Sequence, residues 1–199
     1  MFTFKAYDAR GMPQDERKIL TQLMRVVEMS PEKDVGVGIL TAEDRDVWAK
    51  VYASLGQNSQ NAASLEAIKR AALVVCLDGG LADADPYEVS WPRQVYKGGP
   101  NAECAANRWW DKPVQVIVGE DGGSALLYDH TSFDGTVMAG VTNYCYDYAT
   151  GHVIPYTSAV ELKEEEADTV ERLSVGGGRL WMPHRSRCAK QRIREVLGA

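Results

Sequence analysis

The N-terminal part of the chain changes from an alternating pattern of apolar and polar residues to a helical one. Residues 2–7 alternate and predict a strand, and residues 8–12 contain a glycine and predict a turn. Pro13 predicts the first position of a helix whose first turn is acidic, with Asp15 and Glu16. Its apolar residues fall at helical spacing: Ile19, Leu20, Leu23, Met24 and Val27. Residues 31–38 predict a linker.

Helical spacing then occurs twice more. Thr41 is predicted to cap the first of these helices, with Asp44 as its capping-box partner. One face of that helix carries Val47, Trp48, Val51, Tyr52 and Leu55. Residues 56–61 break it, and a second helix is predicted from near Ser64, with Leu65 and Ile68 on its inward face.

Apolar runs between turn residues predict strands in the centre of the chain. Residues 73–77 (L-V-V-C-L) predict a buried strand before Asp78. Residues 114–118 and 125–128 predict a hairpin around a turn at residues 120–123. Residues 81–107, rich in proline and glycine, predict either a functional loop or one that contains short helices.

The C-terminal part is predicted to be mainly helical. A helix over about residues 137–148 would place Val137, Val141, Tyr144 and Tyr148 on one face, and residues 161–173 have a charged helical pattern. Because helices and strands mix throughout, the predicted fold class is α/β or α+β. The 199 residues are 45% apolar and 25% charged, which predicts a packed core, and the net charge of −6 argues against nucleic acid as a partner.

Cysteine usage and apolar run lengths predict the compartment only broadly. Cys76, Cys104, Cys145 and Cys188 lie far apart, without a C-x-x-C pair, which argues against a metal knuckle or a disulfide framework. Cys76 and Cys145 lie in apolar runs and are predicted core residues. Neither a membrane-spanning segment nor a targeting pattern is found, so we expect an intracellular protein, with cytoplasm, mitochondrion and peroxisome all open.

His130 is the candidate for acid–base chemistry. It follows the predicted hairpin, where a sheet can aim a side chain into a cleft, and Asp134 is close enough along the chain to influence the imidazole. His152 in a turn and His184 in the basic tail are predicted to be exposed. From spacing alone, a structural histidine that closes the hairpin is the favoured interpretation.

A second cluster combines tryptophans with charges. Residues 107–112 read N-R-W-W-D-K, and two adjacent tryptophans between opposite charges favour packing together with a structural ion pair. Arg108 could also reach a carboxylate near His130 and help to shape a site there.

The blocks around these two clusters resemble the choline/carnitine O-acyltransferase family. Residues 107–122 are similar to its N-R-W-[FYW]-D-K block with the following strand and hairpin. Residues 128–135 (Y-D-H-T-S-F-D-G) resemble its catalytic segment, commonly E-H-[SA]-x-x-[DE]-G. Residues 37–49 and 74–78 resemble its G-x-L-T…R…W-A stretch and its V-C-L-D strand. These ordered blocks cover about residues 2–173 and favour a catalytic His130 over a structural one.

The resemblance implies a fold and a mechanism. The fold would be part of one half of a coenzyme A-dependent acyltransferase, a mixed sheet flanked by helices. His130 would take the proton from the hydroxyl of carnitine or choline, whose oxygen then attacks the thioester of an acyl-coenzyme A. Asp134 and Arg108 would support the electrostatics of the site. Acyl-coenzyme A would be a co-substrate, and no permanently bound cofactor or metal is expected.

Several family features are not found in this sequence. Family members are longer, with two similar halves around a tunnel, and the second half holds the residues that bind coenzyme A and read carnitine's carboxylate. Residues 95–100 (V-Y-K-G-G-P) stand where the family usually has an H-G-G-G loop, and Asp129 replaces a glutamate. We therefore expect a partial acyltransferase domain over residues 1–175, then a glycine-rich and basic tail over residues 176–199 of open origin.

Three functional interpretations stay open. The first is transfer of a short acyl group to carnitine. The second is choline as the acceptor, because residues 132–135 (S-F-D-G) resemble the choline branch. The third is a catalytically incompetent fragment that acts at most as a binding module. Because one wall of the tunnel would be missing, we expect very low activity from the chain alone.

Overall fold

The computed structural model describes residues 1–30, 36–81, 85–99, 104–151 and 170–173. The chain divides into two compact units. The first contains residues 1–30 and 170–173, and the second contains the described residues from 36 to 151.

The first unit contains a two-stranded antiparallel sheet and one helix. Strand β1 (Phe2–Thr3) pairs with the last strand, β5 (Glu171–Arg172). β1 is shorter than the predicted strand, because an isolated bridge between Tyr7 and Pro13 closes the Asp8 turn instead. The predicted helix over residues 161–173 is wrong at residues 171 and 172, and residues 161–169 lie outside the described residues.

Helix α1 (Glu16–Glu28) begins later than Pro13 because Asp15 caps it: its carboxylate accepts the Arg17 N–H at 2.9 Å. The helix buries Thr21 and Gln22, and Val27 is 60% exposed, so the predicted apolar face is wrong at Val27. The Gln22 amide is buried at little cost because it donates to the Lys18 carbonyl at 3.2 Å.

In the second unit, a 3-10 helix (Val37–Ala42) precedes α2 (Arg45–Leu55) and α3 (Ser59–Arg70). Asp44 caps α2, so the predicted cap at Thr41 is wrong. Asn58 caps α3, which starts before the predicted Ser64. The predicted inward positions of these helices are confirmed for Trp48, Val51, Leu55, Leu65 and Ile68.

The sheet of the second unit has the order β2 (Val74–Asp78), β3 (Val114–Gly119) and β4 (Ser124–Tyr128). β3 pairs in parallel with β2 and in antiparallel with β4, which confirms the hairpin. Cys76 and Asp78 on β2 are buried whereas Leu77 is 36% exposed, so only one face of this strand is covered. A core cluster forms on the sheet from Cys76, Val95, Ile117 and Leu127.

The predicted loop over residues 81–107 contains helix α4 (Tyr87–Lys97), with Pro92 inside it, and a 3-10 helix (Ala105–Asn107). Gly98 ends α4 in the left-handed region at φ 72°. A Cβ at Gly98 would overlap the backbone of Ala105, so glycine is required there both for its conformation and for its space.

Helix α5 (Gly135–Gly151) follows the sheet and is mostly exposed. Met138 is buried, whereas the predicted face is exposed at Val137 (58%) and Tyr144 (70%). Cys145 is also exposed, so its predicted place in the core is wrong, and Cys76 is buried as predicted. Helices and small sheets together confirm a mixed α/β class. In the described part of the chain, no helix is long and apolar enough to cross a membrane.

Candidate active site

His130 lies in the turn that joins β4 to α5. The turn is tied at its start, because the Asp129 N–H donates to the Pro113 carbonyl at 2.9 Å. The Ser132 and Phe133 N–H groups then donate to the Asp129 carbonyl at 3.1 and 3.2 Å. The backbone on both sides of His130 is therefore hydrogen-bonded, while its side chain is exposed.

Two carboxylates flank His130 along this turn. Asp129 accepts the Thr131 hydroxyl at 2.6 Å and the Thr131 N–H at 3.0 Å. Asp134 accepts the Thr136 N–H at 2.8 Å, next to the start of α5 at Gly135. The Asp129 carboxylate thus bridges across His130 to Thr131, and the Asp134 carboxylate fixes the backbone at the start of α5.

Both carboxyl groups titrate below their ordinary range. Hydrogen bonds from Thr131 are the main cause that lowers the pKa of Asp129, and those from Thr136 lower the pKa of Asp134. Desolvation opposes both shifts, and the charge of His130 adds to the lowering in each case. The charge of His130 is a smaller cause than the hydrogen bonds in both carboxyl groups.

The imidazole itself contacts an aromatic ring. The centroids of Tyr128 and His130 are 6.3 Å apart, with the planes tilted by 55°. Within the described residues, no group hydrogen-bonds to the His130 side chain. An exposed imidazole is a side chain of the kind that can accept a proton from a bound alcohol.

Arg108 lies in a buried network at the end of β2. Its Nη1 and Nη2 atoms donate to the Asp78 carboxylate at 2.9 and 2.7 Å. It also donates to the carbonyls of Gln94 (2.9 Å) and Val95 (3.1 Å). Burial disfavours the guanidinium charge, but the hydrogen bonds and charge of Asp78 outweigh this and raise the pKa of Arg108 above its ordinary value. No hydrogen bond or ion pair with Asp134 or His130 occurs among its described contacts.

The rest of the N-R-W-W-D-K segment also joins separate elements. The Asn107 amide donates to Asp78 at 2.9 Å, and the Trp110 N–H donates to the Thr41 hydroxyl at 2.9 Å. Asp111 accepts the Trp48 indole N–H at 2.5 Å and pairs with Arg45 at 2.8 Å. Lys112 donates to the carbonyls of Lys69 and Ala71 at the end of α3. The predicted packing role with a structural ion pair is thus confirmed.

Sequence reasoning missed the acceptors of this network. The sequence pattern predicts Asp78 only as the residue that follows a buried strand, although a carboxylate directly after a buried run signals a buried charge that needs a partner. Gln115, whose side chain accepts the Trp109 N–H at 2.8 Å, had no such signal. His152 and His184 lie outside the described residues.

The second unit thus has a mixed α/β fold, and it carries an exposed histidine in a turn with a carboxylate on each side. Residues 1–176 match the family model described as Choline/Carnitine o-acyltransferase. The chain belongs to this family of acyltransferases.

Curated relatives carry two different names at the same identity. The chain is 32% identical to choline O-acetyltransferase of Homo sapiens over 163 residues, 79% of this chain and 20% of the relative. It is 32% identical to carnitine O-acetyltransferase of Rattus norvegicus over 164 residues, 81% of this chain and 25% of the relative. The chain therefore spans a fifth to a quarter of these relatives, and identity does not separate the two acceptors.

Proposed function

We propose that this chain carries the general base of an O-acyltransferase that moves a short acyl group, acetyl, between coenzyme A and the hydroxyl of carnitine. The observation that supports this proposal is His130, an exposed imidazole in a hydrogen-bonded turn with two carboxylates beside it. Membership of the acyltransferase family supports the reaction class.

In the proposed reaction, His130 takes the proton from the carnitine hydroxyl. The oxygen attacks the carbonyl carbon of the thioester, a C–O bond forms and the C–S bond breaks. The proton then passes from the imidazolium to the departing thiolate, so no covalent acyl-enzyme is required. An oriented base of this type contributes about 10²–10⁴-fold to a rate.

Asp134 is proposed to stabilise the imidazolium that forms in this step, since its carboxylate already interacts with the charge of His130. Arg108 is proposed to support the electrostatics around His130 only through its long-range charge, because its described partners are Asp78 and neighbouring backbone carbonyls. We assign no residue of this chain to coenzyme A.

Choline is the alternative acceptor. It is supported by the sequence S-F-D-G at residues 132–135, and by a choline O-acetyltransferase that is as similar to this chain as a carnitine O-acetyltransferase is.

A catalytically incompetent fragment is the third candidate. The exposed apolar residues of α5, including Val137 and Tyr144, favour it, because such a face is typical of a surface that packs against further protein.

The test uses both the isolated chain and chimeras. In each chimera, this chain replaces the matching segment of a carnitine or a choline O-acetyltransferase. We expect very low acetyl transfer from the isolated chain, since positioning supplies much of the rate. We expect activity from at least one chimera, lost on His130→Gln and kept in Asp147→Asn, an exposed change on α5.

Three outcomes separate the candidates. Retained activity in the His130→Gln chimera contradicts the proposed base. Robust transfer by the isolated chain, lost on His130→Ala, contradicts our expectation of low activity. Folded chimeras that bind acetyl-coenzyme A but transfer nothing to either acceptor favour the incompetent fragment.

A further inference from the structure

Tyr128 supports His130 from the end of the sheet. It is the last residue of β4, in register with Val114 on β3, and its side chain is partly buried. Its ring lies 6.3 Å from the imidazole, within the range in which aromatic rings attract each other. His130 has no hydrogen-bond partner among the described residues, and the Tyr128 ring is an aromatic contact that can restrain the imidazole plane there.

The other end of the Tyr128 side chain meets the start of α5. A Cβ placed at Gly135 would lie 3.2 Å from the Tyr128 hydroxyl oxygen, closer than ordinary van der Waals contact. Gly135 thus leaves the space that the phenol occupies. Since Asp134 holds the first turn of α5 through Thr136, the phenol fits between a fixed strand and a fixed helix start.

We propose that Tyr128 is the positioning residue of His130, and that Gly135 lets the phenol hold this position, since a Cβ there would push the hydroxyl away by a few tenths of an ångström. The proposal rests on the proposed function for its catalytic consequence, although the ring contact is independent of any activity. An exposed base is useful only if its orientation is restricted, because productive geometry tolerates an error of about 0.5 Å.

The first test measures the ring contact directly in the full 199-residue chain. The histidine ring protons are followed by NMR, and the His130 signals are assigned by their loss in His130→Gln. We expect Tyr128→Leu to move these signals toward those of a free histidine and to increase the mobility of the imidazole. Tyr128→Phe keeps the ring and should leave them nearly unchanged.

A double-mutant comparison tests the role of Gly135. Gly135→Ala should displace the phenol and shift the His130 signals. The same change made together with Tyr128→Phe should have a smaller effect, because the hydroxyl that the new Cβ meets is absent. If Tyr128→Leu does not fold, Gly135→Ala provides the same readout.

The second test uses an active chimera. We expect Tyr128→Leu to lower kcat by about tenfold with little change in KM, and Tyr128→Phe to restore it, since a positioned base supplies ~10²–10⁴-fold. Unchanged His130 signals in folded Tyr128→Leu and Gly135→Ala variants overturn the ring contact. Changed signals with unchanged kcat overturn positioning, whereas full activity of His130→Gln overturns the proposed base and leaves the NMR result standing.

Discussion

Arg108 and Asp78 form a bidentate ion pair, with Nη1–Oδ1 and Nη2–Oδ2 distances of 2.9 and 2.7 Å. Their side chains are 1% and 0% exposed, and Gln94 and Asn107 donate further hydrogen bonds to the carboxylate. Charges buried this deeply are tolerated only when nearly every donor and acceptor is satisfied. The pair joins the end of β2 to α4 and to the segment that leads into β3.

Removal of one partner should therefore destabilise the chain strongly. We expect Arg108→Met or Asp78→Leu to lower the free energy of unfolding by about 3–5 kcal/mol, because the remaining charge is left buried and unpaired. The double variant should lose less than the sum of the two single losses. Urea denaturation of all three variants measures this coupling.

The exposed pair between Arg45 and Asp111 provides the control. Arg45 is 69% exposed, so Arg45→Ala should cost no more than about 1 kcal/mol. Losses for Arg108→Met as small as those for Arg45→Ala would contradict the structural role of the buried pair.

The helix caps illustrate which parts of the fold the sequence predicts. Thr41 and Asp44 are both residues that cap helices, and local pattern favoured Thr41. In the structure the Thr41 hydroxyl donates to the Gly38 carbonyl and accepts the Trp110 N–H, so a contact distant in sequence makes the choice. Over residues 81–107 the sequence predicts short helices only as an alternative to a loop, because Pro92 disfavours a helix locally, whereas α4 continues through Pro92.

The candidate site is also predicted only in part by the sequence. His130 and Asp134 lie on one short turn, so local spacing is enough to predict that they are neighbours. The partner of Arg108 depends on strand order, which places β2 beside β3 although a helix and two proline-containing segments intervene. Sequence spacing holds no information on that pairing.

The cysteines should differ in reactivity. Burial raises the pKa of the Cys76 thiol to about 11, and the charge of Asp78 adds to this while Arg108 opposes it. Cys145 is exposed on α5. At about pH 8 we expect alkylation at Cys145 but not at Cys76 until the chain is unfolded, as read by peptide mass spectrometry. Labelling of Cys76 at the same rate as Cys145 would disprove its burial.

Two glycines should respond to alanine in opposite directions. A Cβ at Gly38 would overlap the carbonyl oxygens of Arg108 and Ala106, so Gly38→Ala should lower Tm. Gly140 lies within α5 with open space around it, and Gly140→Ala should stabilise the chain by about 0.5–1 kcal/mol. Thermal unfolding of both variants measures these effects. An increase in the Tm of Gly38→Ala would contradict the close approach of the Gly38 backbone to Arg108 and Ala106.

The interaction between Asp134 and His130 predicts a change in titration. A histidine is positively charged in the acidic range where aspartate titrates, so His130→Gln should raise the pKa of Asp134 and of Asp129, though Thr136 and Thr131 still hold them below the ordinary value. Because the pKa values of both carboxyl groups are lower in the folded chain than in the unfolded chain, these groups stabilise the fold at pH values above the unfolded pKa. This stabilisation is lost as the pH falls through the folded pKa, and His130→Gln should make it smaller. Carboxyl-carbon NMR measures both titrations. Asp8, whose lowered pKa comes first from the Met12 N–H, is the control, and unchanged Asp134 and Asp129 titrations in His130→Gln would contradict the interaction.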